Sequence, residues 1–403
     1  MKILQINAVN ALASTGRTAK EMSDFLLQNG HNSVVAYSKG PSVDPEHEYR
    51  IGSNLDTKIH GFMSRLTGKQ GYFSSSATKK LLKFMDGYKP DVVVLRNLHG
   101  NYINLPILLK YLAKNDIATV VVLHDCWFYT GKCCHYTVQG CFKWQEACGN
   151  CPQLKKHNKS WFFDRTKNLL ADKKRLFDAL PRLAVVGVSD WLTNEAKKAT
   201  VFEKAKIITR IYNWIDTEKF SPRNTDELRE MLGLHEKKVI LCVASVWSKE
   251  KGLDPVLELS KKLSADEHIV LVGNLPSDVS LNDKILHIPA TNSVDELAEL
   301  YSMADVFLQP SLEETFGKVT AEALSCGTPT VCFDSTTTPE LIGENCGSVV
   351  ECTNIEKMYL EIGNILNNNP SVYKLYCRHF ATQHFLKNEN IKEYLNLFKS
   401  INK

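Results

Sequence analysis

Two glutamates, Glu314 and Glu322, stand eight positions apart in the segment SLEETFGKVTAEALSCGTP (311–329). Eight positions is about two helical turns, and Gly317 lies between them where a helix-like run begins, so the spacing predicts Glu322 inside a helix and Glu314 just ahead of it. A helix start at Gly317–Lys318 presents unpaired backbone N–H groups that suit an anion or sugar hydroxyls. A carboxylate can accept two hydroxyls at once, the arrangement a vicinal diol such as a ribose offers. A bare pair of glutamates at this spacing reads as an ordinary surface helix. The surrounding FG, AEALSCGTP and PELI residues set this pair apart.

The second constellation is sulfur-rich. Of 12 cysteines, Cys133, Cys134, Cys141, Cys148 and Cys151 fall in the run CWFYTGKCCHYTVQGCFKWQEACGNCPQL (126–154). Cys148-Gly-Asn-Cys151 is a C-x2-C knuckle, preceded by Cys134 and Cys141. Four thiolates within about 18 residues suit a tetrahedral structural Zn²⁺, with Cys133 or His135 as alternatives to Cys134. A closed site leaves no open coordination position, so such a metal serves folding rather than catalysis. The run reads as a long irregular loop of little apolar content, which a cross-link would order. A redox dithiol or unbound thiols are the competing readings.

Other candidates are single residues. His124 and Asp125 end a buried strand, where they would point into a ligand cleft. Gly16 follows the first strand, and a residue without Cβ lets backbone approach a phosphate or acceptor closely. Lys249 and Lys251 lie in SKEKGLD (248–254), two cations where a helix begins. No D-x-D pair ends a strand as a metal site, which points to metal-independent chemistry. Trp161–Leu180 and Tyr72–Met85 mix aromatic, Leu and basic residues and admit peripheral contact with an anionic membrane.

The elements that must position these groups are β-branched apolar runs alternating with amphipathic stretches. The runs are 2–6, 33–37, 91–95, 118–123 and 183–188, then 239–243, 269–272, 306–308 and 330–333, and helices are expected over 18–28, 253–263, 294–303, 354–366 and 371–400 with a break near Lys387. Such alternation predicts parallel sheets of βαβ units. A polar, Pro-ended stretch at 212–223 interrupts the series. The expected fold class is α/β with two Rossmann-like, doubly wound domains facing a central cleft. An N-terminal domain spans 1–213, with the Cys-rich insertion at 126–155. A C-terminal domain spans 214–384, and a last helix (385–403) returns to the first domain. Ligands of such sheets bind at the carboxyl ends of the strands.

With 403 residues, 43% hydrophobic and 23% charged, the chain reads as an ordinary globular protein rather than a disordered one. A net charge of +4 does not supply the basic face of a nucleic-acid binder. The start MKILQINAVN lacks signal-peptide features and no apolar run is long enough to span a bilayer, so a cytoplasmic protein is expected, at most peripheral on the inner face of the cell membrane.

Taken together, the segment 311–347 resembles the donor-binding segment of the retaining glycosyltransferases of family 4, which have the GT-B fold, and the resemblance implies that 1–213 is the acceptor-side domain and 214–384 the nucleotide-sugar-binding domain. Other pieces agree in order: residues 10–30 with their glycine and terminal NGH, His124 after its strand, VVGVS (185–189), NWID (213–216) and SKEKGLD. The resemblance implies that Glu322 binds the nucleotide ribose and Glu314 a hydroxyl of the donor sugar. It implies that amides near Phe316, Gly317 and Lys318 contact sugar or diphosphate, that Lys251 neutralises the leaving diphosphate, and that His124 meets the sugar near the reaction centre. The family's Arg shortly before the Lys is absent here, and Lys249 or Arg210 could replace it. The insertion opening on HDCWFYTGKCCHY (124–136) is similar to the HD-x-W-x-x-T-G-x-C-x-Y insertion of members found in bacterial surface-polysaccharide clusters. The implied activity is transfer from a UDP- or GDP-sugar to a saccharide or lipid-linked acceptor. A non-catalytic nucleotide-sugar-binding subunit and a nucleotide-sugar 2-epimerase are the alternatives.

Overall fold

Short runs of Val, Ile and Leu buried on both faces can pair only inside a sheet covered by helices, and both halves of this chain are built that way. The computed structural model describes residues 1–368 and 370–403. The chain divides into two compact units, one formed by Met1–Ile211 with Asn388–Lys403, the other by Tyr212–Lys387.

The first unit contains strands β1 (Lys2–Val9), β2 (Asn32–Lys39), β3 (Glu48–Arg50), β4 (Val92–Leu95), β5 (Ala118–Leu123), β6 (Leu183–Gly187) and β7 (Ile207–Arg210). They form one sheet in the order β3-β2-β1-β4-β5-β6-β7, parallel throughout. Helices α1 (Ala13–Gln28), α2 (Asn54–Thr67), α3 (Ser75–Tyr88), α4 (Leu105–Lys114), α5 (Thr166–Asp178) and α6 (Asp190–Lys198) connect them.

The second unit contains α7 (Asp226–Met231), β8 (Lys238–Val246), α8 (Leu253–Ser260), β9 (Glu267–Asn274), β10 (Ile285–Ile288), α9 (Val294–Met303), β11 (Val306–Gln309), α10 (Lys318–Ser325), β12 (Thr330–Phe333), β13 (Gly347–Val350), α11 (Ile355–Leu366) and α12 (Pro370–His384). Its sheet, β10-β9-β8-β11-β12-β13, has the 3-2-1-4-5-6 order of a dinucleotide-binding fold. Two apolar layers cover it. Val256, Leu259, Met358 and Ile362 pack on one face, and Ala298, Tyr301, Phe307 and Ala323 on the other. After α12 the chain breaks at Phe385–Leu386, and α13 (Lys387–Ile401) packs within the first unit. There it buries Ile391, Tyr394, Leu397, Phe398 and Ile401, a one-sided stripe at helical spacing.

Departures from the sequence reading have local causes. Strands β3, β7, β10 and β13 are short and only partly buried, so they lack the apolar run that marks a central strand. Helix α1 starts at Ala13 rather than Thr18, which puts Gly16 inside its first turns and not in a loop. A Cβ there would lie 3.1 Å from the Ala11 nitrogen and 3.3 Å from Val9 Cγ2, so the missing side chain lets the helix lie against the backbone that enters it. The 126–154 segment is not poor in apolar packing. Trp127, Phe128, Tyr129, Tyr136 and Trp144 are buried in it, with Tyr129 and Trp144 ring centroids 4.8 Å apart. Nor is 161–180 one amphipathic surface helix. Trp161–Phe163 precede α5, whose Leu169, Leu170, Leu176 and Phe177 face the core together with Lys173.

Candidate functional site

In a sheet of order 3-2-1-4-5-6 the loops after the first and fourth strands diverge and leave a crevice. In the second unit these are the loops after β8 and β11, and they carry the candidate residues. The first reaches Gly252, which caps α8 at φ 79°. A Cβ there would sit 2.0 Å from the Pro310 carbonyl oxygen, so only glycine lets the two loops touch. Leu312 N–H donates to the Glu250 carbonyl at 2.9 Å and ties them again. The result brings Lys251 Nζ to 2.5 Å from Glu314 Oε1 across 63 residues of sequence. Gln309 Nε2 donates to the same oxygen at 3.4 Å, and Glu314 N–H donates to Thr336 Oγ1 at 2.8 Å.

Gly317 at φ 80° is the cap of α10, and Lys318 is its first residue. The buried Phe316 ring fixes the approach to that cap, packing on Tyr212 and Phe385 at centroid distances of 5.9 and 5.6 Å. Glu322 lies one turn into α10 and is 6% exposed. Its Oε2 accepts from the Tyr301 hydroxyl at 3.1 Å. Burial first, and the Glu322 carboxylate second, push the Tyr301 phenol well above its ordinary range, so it remains a donor. Lys249 is exposed in the loop after β8. Arg210 ends β7 in the first unit, where its Nε lies 3.2 Å from Asp190 Oδ1.

In the first unit the corresponding loops follow β1 and β4, with His124 directly after the neighbouring β5. Gly16 lies in the first turns of α1, directly after the first of these loops. Arg96, one residue past β4, is fully buried, and its Nη1 lies 3.0 Å from His124 Nε2. A guanidinium has no acceptor, so Nε2 must present its lone pair and the His124 proton resides on Nδ1. Arg96 Nε also donates to Gln5 Oε1 at 3.1 Å, and burial lowers its pKa to about 10. Asp125 pairs with His99, Nε2 to Oδ2 at 2.7 Å, and accepts from Trp127 N–H at 2.9 Å. Burial alone would raise this carboxyl; the charge and hydrogen bond of His99, with the Trp127 amide, hold it at about 2. Cys134 joins this pair. Among the described residues, the ligand atoms of His99, Asp125 and Cys134 form the cluster that falls within 4.8 Å.

Cys134 therefore departs from its expected set. Cys141, Cys148 and Cys151 share a small cavity with Cys133 instead. The adjacent sulfurs of Cys133 and Cys134 serve different clusters, which a count of spacings cannot resolve. Arg96, His99, Gln309, Tyr301 and Thr336 are contributors the motifs do not name. Arg96 and His99 in RNLHG, directly after the apolar run of β4, offered a readable signal; the others become visible only through the fold.

Comparison with known proteins follows the same division. A family described as Glycosyltransferase Family 4 matches residues 15–219, and one described as Glycosyl transferases group 1 matches 224–379. The chain is similar to N-acetyl-alpha-D-glucosaminyl L-malate synthase of Bacillus anthracis, 30% identical over 158 residues, which is 36% of this chain and 40% of that protein. The match thus spans less than half of that relative. Sucrose-phosphate synthase from Thermosynechococcus elongatus superposes with a TM-score of 0.73 at 15% identity, covering 99% of this chain and 98% of that one. The Anabaena protein HepE in complex with UDP-glucose superposes with a TM-score of 0.65 at 14% identity, covering 98% and 100%. These likenesses establish the two-domain GT-B architecture.

Proposed function

Because the chain belongs to glycosyltransferase family 4, we propose that it is an enzyme that transfers a sugar, with retention, from a nucleotide-sugar donor to a saccharide or lipid-linked acceptor. The observation that supports this reading most is the meeting of Lys251 and Glu314 at the switch point of the second sheet, with Glu322 on the helix that follows. In this reading Glu322 accepts the two ribose hydroxyls. The diphosphate rests on the amides at Gly317–Lys318 and on Lys251, which leaves Glu314 when a second anion arrives. Glu314, held by Gln309 and Thr336, then takes a sugar hydroxyl. Departure of a nucleoside diphosphate develops negative charge, and preorganised donors aimed at it lower the barrier. His124 offers Nδ1–H to the sugar because Arg96 occupies Nε2.

The acceptor hydroxyl loses its proton to the departing phosphate on the same face, so the protein supplies position and charge rather than a base. A surface-polysaccharide setting is favoured by the segment opening on HDCWFYTGKCCHY (124–136). A lipid-linked acceptor also fits an exposed patch in the first unit. Leu55, Ile59 and Phe62 share one face of α2 beside Trp161, Phe162 and Phe163, and Lys58, Arg65 and Lys159 rim it. Apolar anchors within a basic rim suit an anionic bilayer.

The deciding experiment is a donor screen. The protein is incubated with UDP-, GDP- and dTDP-sugars and a lipid-linked acceptor extract, and nucleotide release is recorded. Acceptor-dependent release from one donor class is expected. Release from none, with no nucleotide bound, would overturn the reading.

A further inference from the structure

The sulfur-rich segment assembles a site that the transfer reaction does not use. Cys133, Cys141, Cys148 and Cys151 line one cavity of about 20 Å³, walled also by Thr130, Tyr136 and Trp144. That is room for a single water-sized sphere. The four come from two stretches: the turn before Cys134, and the loop from Cys141 to the C-x2-C knuckle. The Asp164 carboxylate pins that knuckle to the start of α5. It accepts from Cys151 N–H at 2.7 Å through one oxygen and from Thr166 N–H at 2.9 Å through the other.

Two buried lysines tie the segment together. Lys132 and Lys173 are each 3% exposed. Lys132 Nζ donates to the carbonyls of Gln153, Leu154 and Lys156 at 2.7, 2.8 and 3.0 Å. Lys173 Nζ donates to those of Trp127 and Thr130 and lies 3.6 Å from the Trp127 ring centroid. The carboxylates nearby are already engaged, Asp125 by His99 and Asp164 by Thr166. N–H groups address the sulfurs, as they do around thiolate-bound metals. The Gly131 amide serves Cys148, the Gln153 amide serves Cys151, and Gln153 Nε2 lies 3.7 Å from Cys133 Sγ.

We propose that Cys133, Cys141, Cys148 and Cys151 bind one Zn²⁺ as a closed tetrathiolate site. Four sulfur ligands in tetrahedral array are the set this ion favours. Binding forms four Zn–S bonds and releases the four thiol protons to solvent, with no change of oxidation state. Among the described residues no three of the four sulfurs lie within 4.8 Å of one another, so binding must draw them inward, and it clamps the 141–152 loop onto the aromatic core and α5. Cys134 is not a ligand.

The test uses the full chain, expressed in zinc-supplemented medium and purified without chelator. Elemental analysis should give one zinc per chain, and X-ray absorption at the zinc edge should show four sulfur neighbours at about 2.3 Å. Cys133→Ser and Cys148→Ser should each lower zinc content roughly tenfold or more, while Cys134→Ser keeps it. Should the serine variants fail to fold, the wild-type spectrum decides alone. Folded protein without stoichiometric zinc, nitrogen or oxygen in the first coordination sphere, a disulfide among the four, or zinc lost by Cys134→Ser and kept by Cys133→Ser would each overturn the assignment.

Discussion

Replacing Glu322 by Gln removes one charge and almost no volume from a side chain that is 6% exposed. The amide oxygen can still accept from Tyr301, which now donates at 3.1 Å, so α10 and α9 should stay packed. What changes is the strength of the two bonds offered to a ribose. A hydrogen bond to a charged acceptor contributes about 1.5–3 kcal/mol and a neutral one about 0.5–1.5 kcal/mol, so each hydroxyl loses roughly 1–1.5 kcal/mol. Two hydroxyls give about 2–3 kcal/mol, or roughly a 30- to 150-fold weaker Kd for the nucleoside diphosphate. Titration calorimetry with the best nucleotide of the donor screen measures this directly, and a thermal melt confirms the fold. A folded Glu322→Gln protein that binds the nucleotide as tightly as the parent would refute the ribose assignment.

Glu314→Ala should lower turnover roughly 10²-fold with little loss of nucleotide affinity, whereas Lys251→Ala should weaken both; kcat measured beside calorimetric Kd separates the two. Arg96→Gln should lower kcat without moving nucleotide Kd. A kcat equal to the parent's would count against the tautomer argument. Asp125 titrates lower in the folded state than in the unfolded chain, so its stabilisation is present above pH ~4 and is lost as pH falls towards 2. Asp125→Asn should therefore cost about 2 kcal/mol at pH 7, with the gap closing in acid, as urea unfolding at several pH values would record.

How far the sequence could be read depends on whether a feature is local. The central strands were legible because burial on both faces demands unbroken Val and Ile. The edge strands β3, β10 and β13 were not, because half-exposed pairing tolerates residues such as Glu48, His287 and Ser348. Glu314, Gly317 and Glu322 could be placed from helix geometry alone, since all three belong to one loop and the helix after it. The partners of Glu314 could not. Lys251 lies 63 residues away, and Thr336 on the loop after β12. Arg96 could be noticed as a cation closing the apolar run of β4, but its purpose is a tautomer, which only the distance to His124 reveals. Cys133 and Cys134 mark the limit of spacing arguments. Two adjacent thiols offer the same arithmetic, and the backbone between them decides which one joins Cys141, Cys148 and Cys151.

The donor site can be tested most directly by a crystal structure of the full chain soaked with the nucleoside diphosphate that the screen identifies. The ribose hydroxyls should lie within hydrogen-bond distance of Glu322, and the diphosphate against the Gly317–Lys318 amides and the Lys251 ammonium, with Lys251 turned from Glu314 and no divalent ion between protein and phosphates. Nucleotide bound away from the β8 and β11 loops, or a diphosphate held through a metal bridge, would contradict the assignment.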